Sequence, residues 1–322
     1  MMISNDKLEI LKNLIDNSNS IALATHIRPD GDALGSILSF TRALNSIDKK
    51  ADIIKNSEIP EYLNFLYDKD LYKENDGVYD LFIVLDCSEI DRIGDAQKVF
   101  DKANKKVVID HHVKGGIDGD LRLIYEKSSS TCQLVYEILN YLDVEFTESI
   151  SSNLFTGICT DTGRFMYENV DKDTHIAAGD LLEKGAKSQE IFKNLYQSKS
   201  LNGLQMEIDI LSRIKFLKDN KIAFVYISKE DTKKHGMDIS DTEYIVNILR
   251  DIEGVEVGCV LKEYEDNEYK VSLRSKSYVD VSKIARENNG GGHIKASGYS
   301  IFEESCDKAV DKILETLGEI EC

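Results

Sequence analysis

The sequence predicts an α/β protein. A parallel-sheet N-terminal domain with helices on both faces leads through a helical connector into a smaller, mixed α/β C-terminal domain. Three observations predict it. Short apolar runs at 21–25, 52–54, 81–85 and 107–109 are separated by stretches of helical spacing. The Leu81–Leu85 run is apolar throughout, as a strand covered on both faces must be. Near residue 220 the pattern changes to strand-rich sequence, giving expected boundaries of 1–187, 188–218 and 219–322.

Residues 7–16 have the periodicity of a first helix. The strand Ile21–Thr25 is broken by Arg28-Pro29-Asp30-Gly31-Asp32, and a helix follows with Leu34, Ile37, Leu38 and Leu44 on one stripe. Ser128-Ser129-Ser130-Thr131 offers an N-cap to a helix carrying Leu134, Val135, Ile138 and Leu139. A further helix passes through Leu154 and Ile158 to Asp161. More helices follow residue 170, and a long one is expected over 188–217, with Leu201, Leu204, Ile208 and Leu211 on one face. Beyond it come a strand at Ile222–Ile227, a helix at 244–250, and a hairpin of 255–261 with 269–273 around an acidic turn. Asn289-Gly290-Gly291-Gly292-His293 reads as a flexible loop before a last strand and helix.

The formal net charge of −18 over 322 residues argues against long nucleic acid, whose affinity depends on Lys and Arg neutralising phosphates. A short anion can still bind where cations and oriented N–H groups dominate one pocket. No apolar run is long enough to span a bilayer, and no secretory signal is visible, so a cytoplasmic location is expected. The six cysteines form no CxxC pair and are expected to be reduced thiols.

Apolar strands that stop on ionisable residues carry the chemistry. One stops at His26, with Asp30 and Asp32 close behind; another stops at Asp86; a third stops at Asp110-His111-His112. Ligands in parallel sheets bind beyond the carboxyl ends of strands, where all of these lie. Each alone has a plain explanation: a strand-end Asp is commonly a loop residue or cap, and Asp30-Gly31-Asp32 is an ordinary turn. Together with Asp161 they place several carboxylates in one cleft, at a cost in desolvation and mutual repulsion that divalent cations remove. Oxygen and imidazole ligands without thiolate suit Mn²⁺, with Mg²⁺ or Co²⁺ as substitutes. Six such side chains, one of them bridging, suffice for a two-metal phosphoryl site. His175 and His235 have no such company and are expected to be surface or core residues.

The glycine run has its own reading. Gly290, Gly291 and Gly292 permit positive φ and close backbone approach, so N–H groups can point at a phosphate. Arg274 and His293 add cationic donors. Arg164 beside Asp161 suits either the cleft or a surface ion pair.

His26-x-x-Pro29-Asp30-Gly31-Asp32, Asp86, Asp110-His111-His112 and Asp161-Thr162-Gly163 resemble, in order, the four motifs of the DHH phosphoesterase superfamily. Gly290-Gly291-Gly292-His293-x-x-Ala296-Ser297-Gly298 resembles the motif of the first type of DHH-associated C-terminal domain. The resemblance implies a two-manganese hydrolase with its site between the domains. His26, Asp30 and Asp86 would hold one ion, and Asp32, Asp86, His111 and Asp161 the other, with Asp86 as bridge. It further implies that His112 faces the substrate phosphate and that Asp110 orients an imidazole. A hydroxide shared by the two ions would attack phosphorus in line and expel the sugar oxygen.

Within the superfamily, a chain of this size resembles the stand-alone enzymes that hydrolyse very short RNA to 5′-mononucleotides, as 3′–5′ exoribonucleases, and dephosphorylate 3′-phosphoadenosine 5′-phosphate (pAp). The alternative is a cyclic-di-AMP or pApA phosphodiesterase of the same architecture. RecJ-type nucleases are normally larger, and family II pyrophosphatases carry the other C-terminal domain type. A nucleotide sensor with a dead metal site would have lost a ligand, and none is lost. The expected partners are short RNA oligonucleotides and small phosphorylated nucleotides, with no long duplex and no membrane; a homodimer is one assembly the sequence allows. One departure is Val113-Lys114-Gly115-Gly116, where many relatives have proline or a small polar residue and then asparagine; it bears on substrate preference.

Overall fold

The structure, a computed structural model, describes residues 2–74, 77–112 and 116–320. The departure at Val113–Gly115 lies outside the described residues. The chain forms two compact units, Met1–Ser198 and Lys199–Cys322.

The first unit runs through α1 (Asn5–Asp16), β1 (Ile21–Ala24), α2 (Gly31–Ser46), β2 (Ala51–Ile54), β3 (Tyr72–Lys73), β4 (Leu81–Leu85), α3 (Gln97–Lys102), β5 (Lys105–Asp110) and β6 (Leu121–Ile124). It continues through α4 (Thr131–Tyr141), α5 (Glu148–Asp161), α6 (Lys172–Glu183) and α7 (Ser188–Tyr196). The six strands form one sheet in the order β3-β2-β1-β4-β5-β6, and each neighbouring pair is parallel.

The strand sequences explain why both faces are covered. Ile21, Leu23, Leu81, Ile83, Leu85, Val107 and Ile109 enter one core, shared with α1, α2, α4 and α5. Their neighbours Ala22, Ala24, Phe82, Val84 and Val108 enter a second core, against Val99 and Phe100 of α3. Successive side chains on a strand point to opposite faces, so a continuous apolar run serves two cores. β6 was not expected from the sequence; it is an edge strand of only Leu121-Arg122-Leu123-Ile124.

Glycines let α2 and α5 approach closely. A Cβ on Gly35 would lie 2.4 Å from the Asn153 carbonyl oxygen, and one on Gly157 would lie 2.2 Å from Cys132 Sγ and 2.9 Å from Asp32 Oδ1. This contact brings Asp32, at the start of α2, beside the C-terminal end of α5, which carries Asp161.

The second unit comprises α8 (Leu201–Leu211), β7 (Lys215–Leu217), β8 (Ile222–Ile227), α9 (Lys229–His235), α10 (Ile245–Asp251), β9 (Val257–Glu265) and β10 (Glu268–Ser275). It ends with α11 (Val281–Glu287), β11 (Gly291–His293), β12 (Ala296–Phe302) and α12 (Cys306–Glu319). Its sheet order is β11-β12-β10-β9-β8-β7, with β8 and β9 parallel and the other pairs antiparallel. One face packs on α11 and α12 through Val271, Leu273, Ala285 and Ile313. The other packs on α8 and α10 through Val225, Val260, Met206 and Leu249.

Two expectations are corrected. The single helix over 188–217 is two helices and a strand. Ser200 starts α8 anew, its hydroxyl accepting from Gly203 N–H at 3.0 Å, so the helix restarts at a cap rather than continuing. The face with Leu201, Leu204 and Ile208 is the outer one, these residues being 69%, 43% and 58% exposed, while Gly203, Met206 and Ile210 are buried. The second correction concerns the glycine loop, whose Gly291–His293 segment is the edge strand β11, paired with β12.

Among the described residues no helix is long and apolar enough to cross a membrane. Cys87, Cys132, Cys159 and Cys259 are buried free thiols and Cys306 is a partly exposed one.

Candidate metal centre

The sheet order reverses between β1 and β4, the topological switch point at which open α/β sheets bind ligands. Immediately beyond β1 and β4 stand His26 and Asp86. Asp110 is the last residue of β5, and His111 and His112 follow it. All six expected metal ligands belong to the first unit.

Asp86 is the centre of the group. It is 2% exposed, and its backbone adopts φ 54°, a left-handed conformation that non-glycine residues seldom take. Its N–H donates to the Ile109 carbonyl at 3.0 Å, which ties the strained residue to β5. Asp86 Oδ2 lies 3.7 Å from His26 Nε2, while Oδ1 lies 3.7 Å from His111 Nε2 and 3.6 Å from His112 Nδ1. One carboxylate therefore faces imidazoles on both sides.

The other ligand-type residues are aimed by local structure. Asp30 caps α2, its Oδ1 accepting from the N–H groups of Asp32 and Ala33 at 3.1 and 3.0 Å. Asp32 is held by the first turn of α4: Oδ2 accepts from Thr131 N–H at 2.6 Å and Oδ1 from Cys132 N–H at 2.8 Å. The positive end of a helix favours such a carboxylate. His26 Nδ1 lies 3.0 Å from the Ile27 carbonyl oxygen, and His111 Nδ1 lies 3.3 Å from that of Ser128. With Nδ1 donating to carbonyls, Nε2 of each ring carries the lone pair that a metal needs. His111 Nε2 stands 3.8 Å from Asp32 Oδ2 and 3.4 Å from Asp161 Oδ2.

Three overlapping groups place one donor from each residue within 4.8 Å of the others: His26, Asp30 and Asp86; Asp32, His111 and Asp161; and Asp86, His111 and His112. Most imidazole–carboxylate separations in the cluster exceed a hydrogen bond. Burial, then the charges of Asp86 and Asp161, push the Asp32 carboxyl well above its ordinary range. Asp161 is raised by burial and by Asp30 and Asp86, and Asp86 by burial and Asp30. A divalent cation removes this repulsion, so the donor set fits metal.

Asp110 and His112 form a different pair. Asp110 is fully buried, and its Oδ1 lies 2.7 Å from His112 Nδ1 while accepting the His111 and His112 N–H groups at 2.8 and 3.2 Å. Burial raises the Asp110 carboxyl, but these contacts outweigh it and leave it below the usual range. Burial disfavours the His112 cation, yet Asp110 and Asp86 overcome this and raise the imidazole to about 9. The 2.7 Å contact commits Nδ1 of His112 to Asp110.

In the second unit, β10 pairs Arg274 with Ala296 of β12, and Ala296 pairs with His293 of β11. Paired residues share a sheet face, so both side chains flank the small Ala296, roughly 10 Å apart at two strand spacings. Gly290 and Gly292 are required sterically. A Cβ would lie 2.3 Å from the Gly298 carbonyl oxygen at the first, and 2.5 Å from that of Ala296 at the second, where φ is 132°. A Cβ on Gly291 would meet nothing within 4 Å, and the residue is exposed.

Arg164 lies over the Tyr196 ring at 4.9 Å, His175 stacks on Phe165, and His235 pairs with Asp209 at 3.0 Å. The sequence reading missed Thr131, whose Oγ1 donates to Asp86 Oδ1 at 3.0 Å. Four hydroxyl residues in a row, where a single N-cap suffices, were the available signal.

Residues 20–160 match the DHH family, N-terminal domain, and residues 219–319 match the DHHA1 domain. The chain is 33% identical over 316 residues to the bifunctional oligoribonuclease and PAP phosphatase NrnA of Bacillus subtilis, covering 97% of each sequence. It is 30% identical over 305 residues to the NrnA of Thermus thermophilus, covering 93% of this chain and 89% of that one. An exopolyphosphatase-related protein from Bacteroides fragilis superposes with a TM-score of 0.90 at 27% identity, covering 98% of this chain and 97% of that chain. With its strand-end carboxylates and imidazoles in the family's order, and relatives matching from end to end, the chain belongs to the DHH family of phosphoesterases.

Proposed function

We propose that the chain hydrolyses very short RNA oligonucleotides to 5′-mononucleotides and removes a phosphate from pAp, using two divalent cations, Mn²⁺ before Mg²⁺ or Co²⁺. The observation that carries the reading is Asp86, whose two oxygens face His26 and His111 at 3.7 Å each. A carboxylate so placed would be able to serve two ions at once. The NrnA relatives, named for both activities and matched over almost their whole length, support the substrate class.

His26, Asp30 and Asp86 would hold one ion, and Asp32, Asp86, His111 and Asp161 the other. When bound, such ions lower the pKa of water and neutralise phosphoryl oxygens. Asp110 fixes the His112 ring and favours its cation, so His112 Nε2 can donate to a non-bridging phosphate oxygen. The exposed backbone of β11, with Arg274 and His293 on one sheet face, supplies donors for a substrate phosphate. The net charge of −18 favours small substrates over long strands.

A substrate panel with Mn²⁺ tests this: RNA dinucleotides, a five-mer, pAp, cyclic-di-AMP and pyrophosphate. Fastest turnover of dinucleotides and pAp is the expected result. Fastest turnover of cyclic-di-AMP would favour the cyclic-dinucleotide reading, and turnover of pyrophosphate alone would overturn the proposal.

A further inference from the structure

Thr131 belongs to none of the ligand groups, yet it touches two carboxylates that do. Its backbone N–H donates to Asp32 Oδ2 at 2.6 Å, and its hydroxyl donates to Asp86 Oδ1 at 3.0 Å. The side chain is fully buried. Helix α4 does not need this hydroxyl, because the neighbouring Ser130 is the N-cap and its Oγ accepts from Gln133 N–H at 3.1 Å.

The contact matters because of how Asp86 is turned. Oδ1 lies on the side of His111 and His112, and Oδ2 on the side of His26. Rotation about the terminal torsion of an aspartate is soft. Without a fixed donor on Oδ1, the carboxylate can swing so that both oxygens serve one side. Thr131 Oγ1 supplies that donor from a rigid helix terminus, while the Asp32 contacts are made by backbone N–H groups alone.

We propose that Thr131 is a positioning residue that locks the Asp86 carboxylate across both ligand groups, so that its hydroxyl sets the affinity for the second divalent cation. The inference rests on the two-cation reading above. Groups that orient a metal ligand typically change metal affinity 10–100-fold when removed.

The test is Mn²⁺ binding to the full chain, by titration calorimetry and by the spin-coupling of paired Mn²⁺ in electron paramagnetic resonance. Wild type, Thr131→Val, Thr131→Ser and Thr131→Ala are compared, with metal-free melting curves as the folding control. Thr131→Val keeps the shape and the backbone N–H but deletes the hydroxyl. The expected result is two Mn²⁺ in wild type and in Thr131→Ser. In Thr131→Val the first ion binds normally, the second binds about 10–100-fold more weakly, and the coupled signal is lost at matched metal. Thr131→Ala gives the same reading should the valine variant fail to fold. Unchanged binding of both ions in the hydroxyl-deleted variants, or equal weakening in Thr131→Ser, would overturn the inference and leave the two-cation reading intact. Wild type saturating at one ion would overturn both.

Discussion

Asp110 Oδ1 lies 2.7 Å from His112 Nδ1, and the carboxylate is fully buried behind the ring it holds. The pair fixes both the orientation of His112 and the nitrogen that carries its inward proton. Asp110→Asn keeps the shape but removes the charge. We expect kcat on pAp with saturating Mn²⁺ to fall about 10²-fold, the usual scale for a positioned proton donor, with KM changing little. Steady-state kinetics at neutral pH read this directly; an unchanged kcat would remove His112 from the chemistry.

Asp86 stands in two of the donor groups, one with His26 and Asp30 and one with His111 and His112. Asp86→Ala should lower kcat/KM at least about tenfold further than His26→Ala, because it disables both groups where the histidine change disables one. Near-normal turnover in Asp86→Ala would refute its assignment as the bridge.

His293 and Arg274 flank Ala296 on one sheet face of the second unit. His293→Ala is expected to raise KM about tenfold for substrates with a terminal phosphate, the effect of losing one charge-assisted contact, while kcat holds. Comparing pAp with a dinucleotide that lacks a terminal phosphate separates this from a general loss of binding. An unchanged KM for pAp would tell against the glycine edge as a phosphate site.

Glu256 organises the chain after β10. Its carboxylate accepts from the N–H groups of Ser277, Tyr278 and Val279 at 3.0, 2.7 and 2.9 Å and from the Ser277 hydroxyl at 2.7 Å. Burial raises its carboxyl, but the four donors outweigh burial and hold it below the ordinary 4.5. A carboxyl lowered by folding contributes stability above its unfolded pKa and loses that contribution as pH falls through the folded one. Glu256→Gln should therefore cost roughly 2 kcal/mol at pH 7, with the gap from wild type closing in acid below pH 4.5. Urea unfolding at both pH values measures it; equal stability at neutral pH would contradict the assigned network.

Much of the centre was legible because polar residues interrupt apolar strands. Asp86 follows Leu81–Leu85, and Asp110 closes Lys105–Asp110, where burial without a purpose would be costly. The parallel sheet was legible for the same reason, since an unbroken apolar run needs two covered faces. Helix interruption was harder to see. Leu201, Leu204 and Ile208 keep helical spacing, but the period alone did not say which side of α8 is buried. Gly291–His293 joins a sheet through pairing with β12, a tertiary contact that glycine propensity argues against. The hold of α4 on Asp32 links residues 99 positions apart in sequence, and no local pattern announces it.

The most direct measurement is release of 5′-AMP from pApA by the purified full chain, with Mn²⁺ and with excess chelator. Clustered Asp32, Asp86 and Asp161 carboxyls, raised by burial and by one another, call for divalent cations before they can act together. Turnover with Mn²⁺, its abolition by chelator and its return on adding the metal back are the expected results. Turnover insensitive to chelator, or none with Mn²⁺, would contradict a metal-dependent phosphoesterase centred on Asp86.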